Sequence, residues 1–214
     1  MNIIGFSSGV VDRNSNVDRM VKAILSQSGG NIEFVKLTDL TYSGCKGCVR
    51  LCARHEECGL EDDLLPYYHK IKEADAVVLG SPIYFSHVNT TMLSFIERFF
   101  GYRHVNFAIR DKPFVLVVCG EGLQDNVTTN AIEWLRRRLK TFRVAVIDTI
   151  EFVSKSPPCL SCGRHHECCI GALYYDIGES AHKLKIASDL FHRWEDDLRV
   201  VQDIEIAALK LKNL

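Results

Sequence analysis

Ala76–Leu79 reads AVVL, four consecutive apolar residues that run into Gly80-Ser81-Pro82 and then Ile83-Tyr84-Phe85. A stretch that is apolar at every position suits a strand buried on both faces of a parallel sheet. Gly80-Ser81-Pro82 reads as the break at its end. Working outward, Asn2–Ser7 (NIIGFS) and Pro113–Cys119 (PFVLVVC) have the same buried-strand character, and Ile32–Leu37 and the β-branched Val144–Ile150 complete a set of five. Between them the apolar spacing turns helical. Val17, Met20, Val21, Ile24 and Leu25 precede Gly29-Gly30, and Tyr67, Ile71 and Ala74 follow Pro66, with Asp62 or Asp63 as the expected cap. Met92, Phe95, Ile96 and Phe99 mark a helix over Asn89–Phe100, and Ile132, Leu135 and Leu139 one over Val127–Phe142.

Strands alternating with helices imply an α/β fold with right-handed crossovers and helices on both faces of a parallel sheet. Five strands in a doubly wound sheet most simply take the flavodoxin-like order 2-1-3-4-5. One domain is expected over 1–214. It carries a cysteine-rich loop at 44–63 after the second strand, a second cysteine-rich insertion at 157–171 after the fifth, and a C-terminal helical segment at 180–213, read as one long helix or two shorter ones.

Composition narrows the class. Hydrophobic residues make up 47% and charged residues 25%, with a net charge of -1, so neither nucleic acid nor a membrane is an expected partner. MNIIGFSSG has no charged leader and no long apolar core, so no signal peptide is expected. Eight of the nine cysteines fall in two clusters, which argues for metal ligation in a reducing cytoplasm over disulfides.

The first cluster lies in GCKGCVRLCARHEECGLEDD, Gly44–Asp63, with Cys45, Cys48, Cys52 and Cys58 separated by two, three and five residues. Four thiolates suit a cubane iron–sulfur cluster or zinc. Zinc favours two C-x2-C pairs set far apart, so the compact run fits iron–sulfur better; reduced cysteines without metal are the third reading.

Ligands of an open parallel sheet bind beyond the carboxyl ends of its strands, where strand order reverses. Three loops are expected there. Ser7, Ser8, Ser15, Asn16 and Val17 lie on a Ser/Asn-rich turn into a helix, whose backbone N–H groups and hydroxyls suit a phosphate monoester. Pro82, Ile83, Tyr84, Phe85 and Ser86 supply a stiff corner and two aromatic rings for a flat ligand. Cys119, Gly120, Glu121 and Gly122 bring backbone close to a ring system. Each loop alone reads more readily as an ordinary cap, turn or core; together they indicate a mononucleotide.

The chain resembles the flavodoxin-fold flavoproteins related to NADPH-dependent FMN reductases, and within them the iron–sulfur flavoprotein family. The residues that carry the resemblance are Ser7-Ser8-Gly9 through Ser15-Asn16-Val17, the cysteine run ending in Glu61-Asp62-Asp63, and Gly80-Ser81-Pro82-Ile83-Tyr84-Phe85, within Met1 to Val153. The resemblance implies FMN on the sheet edge and a [4Fe–4S] cluster on the four cysteines. It also implies a homodimer or homotetramer, and electron transfer between one- and two-electron carriers with a partner such as ferredoxin or NAD(P)H. The three-residue gap between Cys48 and Cys52 departs from the more usual two.

The second cluster, PPCLSCGRHHECC, offers Cys159, Cys162 and one of Cys168 and Cys169 as ligands, with His165 or His166 as a nitrogen donor, for zinc or a second iron–sulfur cluster; cysteines without metal are the third reading. No side-chain nucleophile or acid–base dyad is expected, because a flavin carries its own chemistry. His87 is a candidate proton shuttle or an ordinary surface histidine. Two other readings stay open: an NAD(P)H-dependent FMN or quinone reductase whose cysteines are structural or bind zinc, and a metal-stabilised interaction module without flavin.

Overall fold

The computed structural model describes residues 1–121 and 126–214, the side chain of Glu121 excepted. In chain order the elements are β1 (Asn2–Ser7), α1 (Asn16–Ser28), β2 (Asn31–Lys36), α2 (Val49–His55), α3 (Leu65–Glu73), β3 (Ala76–Tyr84), β4 (His87–Val88) and α4 (Thr90–Glu97). They continue with β5 (Pro113–Glu121), α5 (Val127–Lys140), β6 (Ala145–Ser154), α6 (Cys159–Cys162), α7 (Ala172–Ile177) and α8 (Leu198–Lys212). Five strands run parallel in the order β2-β1-β3-β5-β6, and β4 pairs antiparallel with the end of β3. The parallel set is the expected flavodoxin-like one; the hairpin strand His87–Val88 makes the sheet six-stranded and shifts the numbering to 2-1-3-5-6.

That hairpin overturns the expectation that Gly80-Ser81-Pro82 ends the strand. β1 stops at Ser7, opposite Gly80, so from Ser81 onward β3 has a parallel neighbour on one side only. A proline at such an edge has no ladder bond to lose there, and β3 continues to Tyr84.

Two cores sandwich the sheet. On one face α1 and α8 close over Ile3, Val78, Val115, Val117 and Phe152 with Val21, Ile24, Val200 and Ile204. On the other, α3, α4 and α5 close over Phe6, Leu79, Phe114 and Leu116 with Tyr68, Phe95, Ile132 and Leu135. Gly80 shows how tightly α1 lies: a Cβ there would stand 2.5 Å from Val21 Cγ2 and 2.8 Å from Val17 Cγ1.

The C-terminal segment departs from the helical reading. Short 3-10 turns occupy Gly178–Lys183, Ser188–Leu190 and Trp194–Asp196, and the helix starts only at Leu198. Asp197 is the reason: its carboxylate accepts from the N–H groups of Arg199 and Val200, which fixes a helix start at that point. Asp62 and Asp63 are likewise not caps of α3, whose N-cap is Leu64. Asp62 Oδ1 accepts from Leu64 N, and Asp63 Oδ2 from Thr41 N.

Candidate functional site

The carboxyl ends of β1, β3 and β5 meet where strand order reverses, and the loops after them form the rim. After β1, Ser7 and Ser8 are fully buried. Ser15 caps α1 in a capping box with Asp18, whose N–H donates to Ser15 Oγ while Ser15 N donates to Asp18 Oδ2. Asp18 is the organising residue of this loop and was not singled out from sequence. Its buried carboxylate accepts from Ser7 Oγ at 2.6 Å and Ser15 Oγ at 2.9 Å and pairs with Lys36 Nζ at 3.1 Å. Ser8 Oγ donates to Gly80 O at 3.4 Å, so all three hydroxyls read as phosphate ligands are engaged by protein. What the turn offers an anion is its backbone: the first helical turn leaves N–H groups without intrahelical partners, at the positive end of the helix dipole. Val17 has only its main chain to offer a ligand, because its side chain is buried in the core with residues of α1 and β3.

The second loop is the β3–β4 hairpin. Tyr84 pairs with His87 across Phe85 and Ser86, both at positive φ, +50° and +63°. Such a turn favours Asn-Gly, and a left-handed phenylalanine costs about 1–2 kcal/mol. Phe85 is wholly exposed at 102% and Tyr84 is 45% exposed, so the strain presents two aromatic rings to solvent at the rim. Asn89, buried as the N-cap of α4, donates from Nδ2 to Ser8 O at 2.8 Å and joins the first loop to the second. His87 stands edge-on to Trp134, ring centroids 4.1 Å apart, which gives it a packing role.

The third loop follows β5. Cys119 is half-buried, and a Cβ on Gly120 would lie 3.2 Å from Ile83 Cδ1 and Val127 Cγ1, so the backbone there is pressed against the second loop. Glu121 closes β5, and Gly122 lies outside the described residues. Burial pushes the Tyr84 phenol up; the charge of Arg13 works downward and Cys119 upward. Arg13 from the first loop and Cys119 from the third thus both lie within electrostatic reach of Tyr84.

The cysteine loop sits beside α4. Cys48 caps α2, a helix that the cysteine spacing had masked. Cys52 and Cys58 are buried, Cys48 is half-buried and Cys45 is exposed. Burial pushes the Cys52 thiol up, and the neighbouring Cys48, Cys58 and Cys45 add to the rise, so the four sulfurs share one neighbourhood. They do not share one centre: among the described residues no group of three His, Cys, Asp or Glu is arranged to hold a metal ion. In the second segment Cys159 and Cys168 flank Gly171, whose added Cβ would stand 2.7 and 3.3 Å from their sulfurs. Cys162 and Cys169 are exposed, with Arg164 N donating to Cys162 Sγ at 3.4 Å and His182 Nε2 lying 4.0 Å from Cys169 Sγ. His165 Nε2 lies 2.9 Å from Leu184 O, away from these thiols.

Arg98 is the other residue missed from sequence. It is 1% exposed, and its guanidinium donates to Cys58 Sγ at 3.1 Å, to the Asp62 carboxylate, to Leu60 O at 3.3 Å and to Ser43 O at 3.4 Å. Burial works against its charge, but the bonds to Asp62 and Cys58 and the nearby Tyr68 hold it above its ordinary range. The signal was present: Phe95, Arg98, Phe99 and Tyr102 follow helical spacing, and a charge on that apolar face needs buried partners.

With this geometry in place, the comparisons are specific. The family model of NADPH-dependent FMN reductase matches residues 1–158, and the chain belongs to that family. Its relatives include an iron-sulfur flavoprotein of Methanocaldococcus jannaschii, 32% identical over 56% of this chain and 62% of that protein. An iron-sulfur flavoprotein of Archaeoglobus fulgidus is 34% identical over 42% of this chain and 44% of that one. The chain thus spans between two-fifths and two-thirds of the length of these relatives. A flavodoxin from the domain Archaea superposes with a TM-score of 0.52 at 11% identity, covering 100% of this chain and 97% of that one, which bears out the flavodoxin-like fold. Among the described residues no helix is long and apolar enough to cross a membrane.

Proposed function

We propose that this chain is an FMN-dependent oxidoreductase. The phosphate lies against the Ser7–Val17 turn, including Ser8 and Asn16, and the ring lies between Pro82–Ser86 and Cys119–Gly120. Glu121 ends β5 at the same rim, and Gly122, a candidate from the sequence, lies outside the described residues. The observation that carries this reading is the hairpin tip: a strained, wholly exposed Phe85 beside Tyr84, placed where strand order reverses. Backbone strain and an exposed aromatic are both unfavourable in the free chain, and a flat ring stacked there offsets both. Bound FMN supplies hydride and single-electron chemistry. The protein's part is to hold the phosphate by main-chain N–H groups, keep water off one ring face with Tyr84 and Phe85, and set the local charge through Arg13.

The finer reading adds a [4Fe–4S] cluster on Cys45, Cys48, Cys52 and Cys58, and electron exchange with ferredoxin or NAD(P)H in a homodimer or homotetramer. It draws on the names of the relatives, on the shared neighbourhood of the four sulfurs and on the N–H that Arg98 directs at Cys58. The second reading is an NAD(P)H-dependent FMN or quinone reductase without a cluster, its cysteines structural or zinc-binding. The exposed Cys45 and the lack of a closed three-residue group among the described residues favour it. The downstream Cys159, Cys162, Cys168 and Cys169 are a candidate second metal site under either reading.

Anaerobic purification with quantification of FMN, iron, zinc and acid-labile sulfide separates these readings. FMN with four irons and four sulfides supports the finer one, and FMN without sulfide supports the reductase. Protein that neither carries nor takes up FMN defeats both.

A further inference from the structure

The family match ends at residue 158, and the downstream cysteines begin at Cys159, outside it. Gly163 ends α6 at a φ of +74° and turns the chain, and Cys168 comes back to Cys159. Both sulfurs lie against Gly171: an added Cβ there would stand 2.7 Å from Cys159 Sγ and 3.3 Å from Cys168 Sγ. The backbone at Gly171 has φ -81° and ψ 158°, extended values open to any residue. Glycine at this position therefore keeps space rather than conformation, and two thiols take that space. The other two sulfurs of the segment are turned to main chain. Cys162 Sγ donates to Cys159 O at 3.4 Å and accepts from Arg164 N, while Cys169 Sγ donates to Glu167 O at 3.9 Å.

Two half-buried thiols that converge without a third donor suit a bond to each other better than an ion, and among the described residues no group of three His, Cys, Asp or Glu is arranged to hold one. Their main chains are held in place. Cys159 opens α6 and packs with Leu160, Leu173 and Ala181, and His182 Nε2 lies 3.2 Å from Cys168 O. A bridge between them would close a short loop beside a cluster with three buried side chains. A cross-link adds most where the core is too small to hold its own chain.

We propose that Cys159 and Cys168 form a reversible dithiol–disulfide pair, a redox-modification site that clips the start of α6 to the chain entering α7. The oxidant is a low-molecular-weight disulfide. One cysteine thiolate attacks it and displaces the first small thiolate; the second cysteine thiolate attacks the mixed disulfide and displaces the other. The S–S bond passes from the oxidant to the protein, the two thiol protons leave on the two small thiols, and the protein gives up two electrons. Excess small thiol runs the same steps backwards. The pair requires neither FMN nor a metal.

Glutathione buffers test it on the full chain. Reduced protein of measured zinc and iron content is equilibrated anaerobically with graded ratios of oxidised to reduced glutathione, and the remaining thiols are blocked with N-ethylmaleimide. Trypsin cuts after Lys155, Arg164 and Lys183, so a Cys159–Cys168 bridge joins two peptides, whereas a bridge from Cys159 to Cys162 or from Cys168 to Cys169 stays within one. The joined pair is expected in the wild type and in the double variant Cys162→Ser/Cys169→Ser, absent from Cys168→Ser, and reopened by excess reduced glutathione. Gly171→Ala puts a carbon against both sulfurs and is expected to move the equilibrium toward the dithiol by about tenfold or more. Hydrogen exchange of the α6 and α7 amides is expected to slow in the bridged form. A bridge confined to one peptide, glutathione adducts with no joined pair, or bound zinc that keeps the thiols reduced overturns the proposal. So does an equilibrium that Gly171→Ala leaves unmoved in folded protein, or amide exchange that is the same in both forms.

Discussion

The two cysteine-rich segments are alike in composition and opposite in how the fold treats them. The upstream loop is joined to the main core: Cys58 belongs to the same apolar cluster as Tyr68, Phe95 and Phe99, and Arg98 is buried beneath it. The downstream segment has a core of its own, in which Leu160, Leu173 and Ala181 are the buried residues. Leu184, Ile186, Leu190 and Phe191 from the stretch before α8 pack against it, and Arg13 Nη1 of the rim donates to Ser161 Oγ at 2.9 Å. Cysteine spacing alone does not reveal how rigidly a set of thiols is held. That follows from what is buried against it, and the upstream set has a sheet face and a guanidinium where the downstream set has a small separate cluster with three buried side chains.

Breaking the upstream support should have the largest effect. Asp62→Ala leaves the buried Arg98 without its carboxylate and should destabilise the whole domain by about 3–5 kcal/mol, read as a lower urea midpoint. Leu160→Ala in the small downstream core should cost about 2–3 kcal/mol locally. Hydrogen exchange should then quicken across the downstream segment while the protection of β1, β3 and β5 is unchanged; loss of global stability would show that the two regions fold as one unit. Ser15→Ala removes the side-chain cap of α1 and one of the bonds to Asp18, and should cost about 1 kcal/mol by chemical denaturation. Phe85→Gly inverts the usual direction. Relief of the left-handed backbone should stabilise the free protein by up to about 1 kcal/mol, and FMN affinity, measured by fluorescence titration, should fall.

The sheet was legible because β1, β3 and β5 are apolar runs bounded by small or turn residues while β2 alternates and β6 is β-branched, and Val21, Ile24, Phe95 and Leu135 mark helix faces by period alone. The His87–Val88 strand was not, because a two-residue pairing that depends on Phe85 and Ser86 adopting positive φ contradicts local propensity. The three rim loops could be placed from strand order. The engagement of Ser7 and Ser15 by Asp18 could not, since it depends on a side chain turning inward from the first turn of α1 to meet Lys36 from β2. Arg98 stood in plain view as a charge among Phe95, Phe99 and Tyr102, but its four acceptors lie 36 to 55 residues upstream. The C-terminal segment misled because Leu184, Leu190, Phe191 and Trp194 have helical spacing yet serve short turns.

Titration of flavin-free protein with FMN and, in parallel, with riboflavin measures the rim most directly. One FMN per chain with quenched fluorescence, and much weaker binding of riboflavin, is the result expected of a main-chain phosphate turn joined to an aromatic hairpin. No uptake of FMN, or equal affinity for the two flavins, would contradict it.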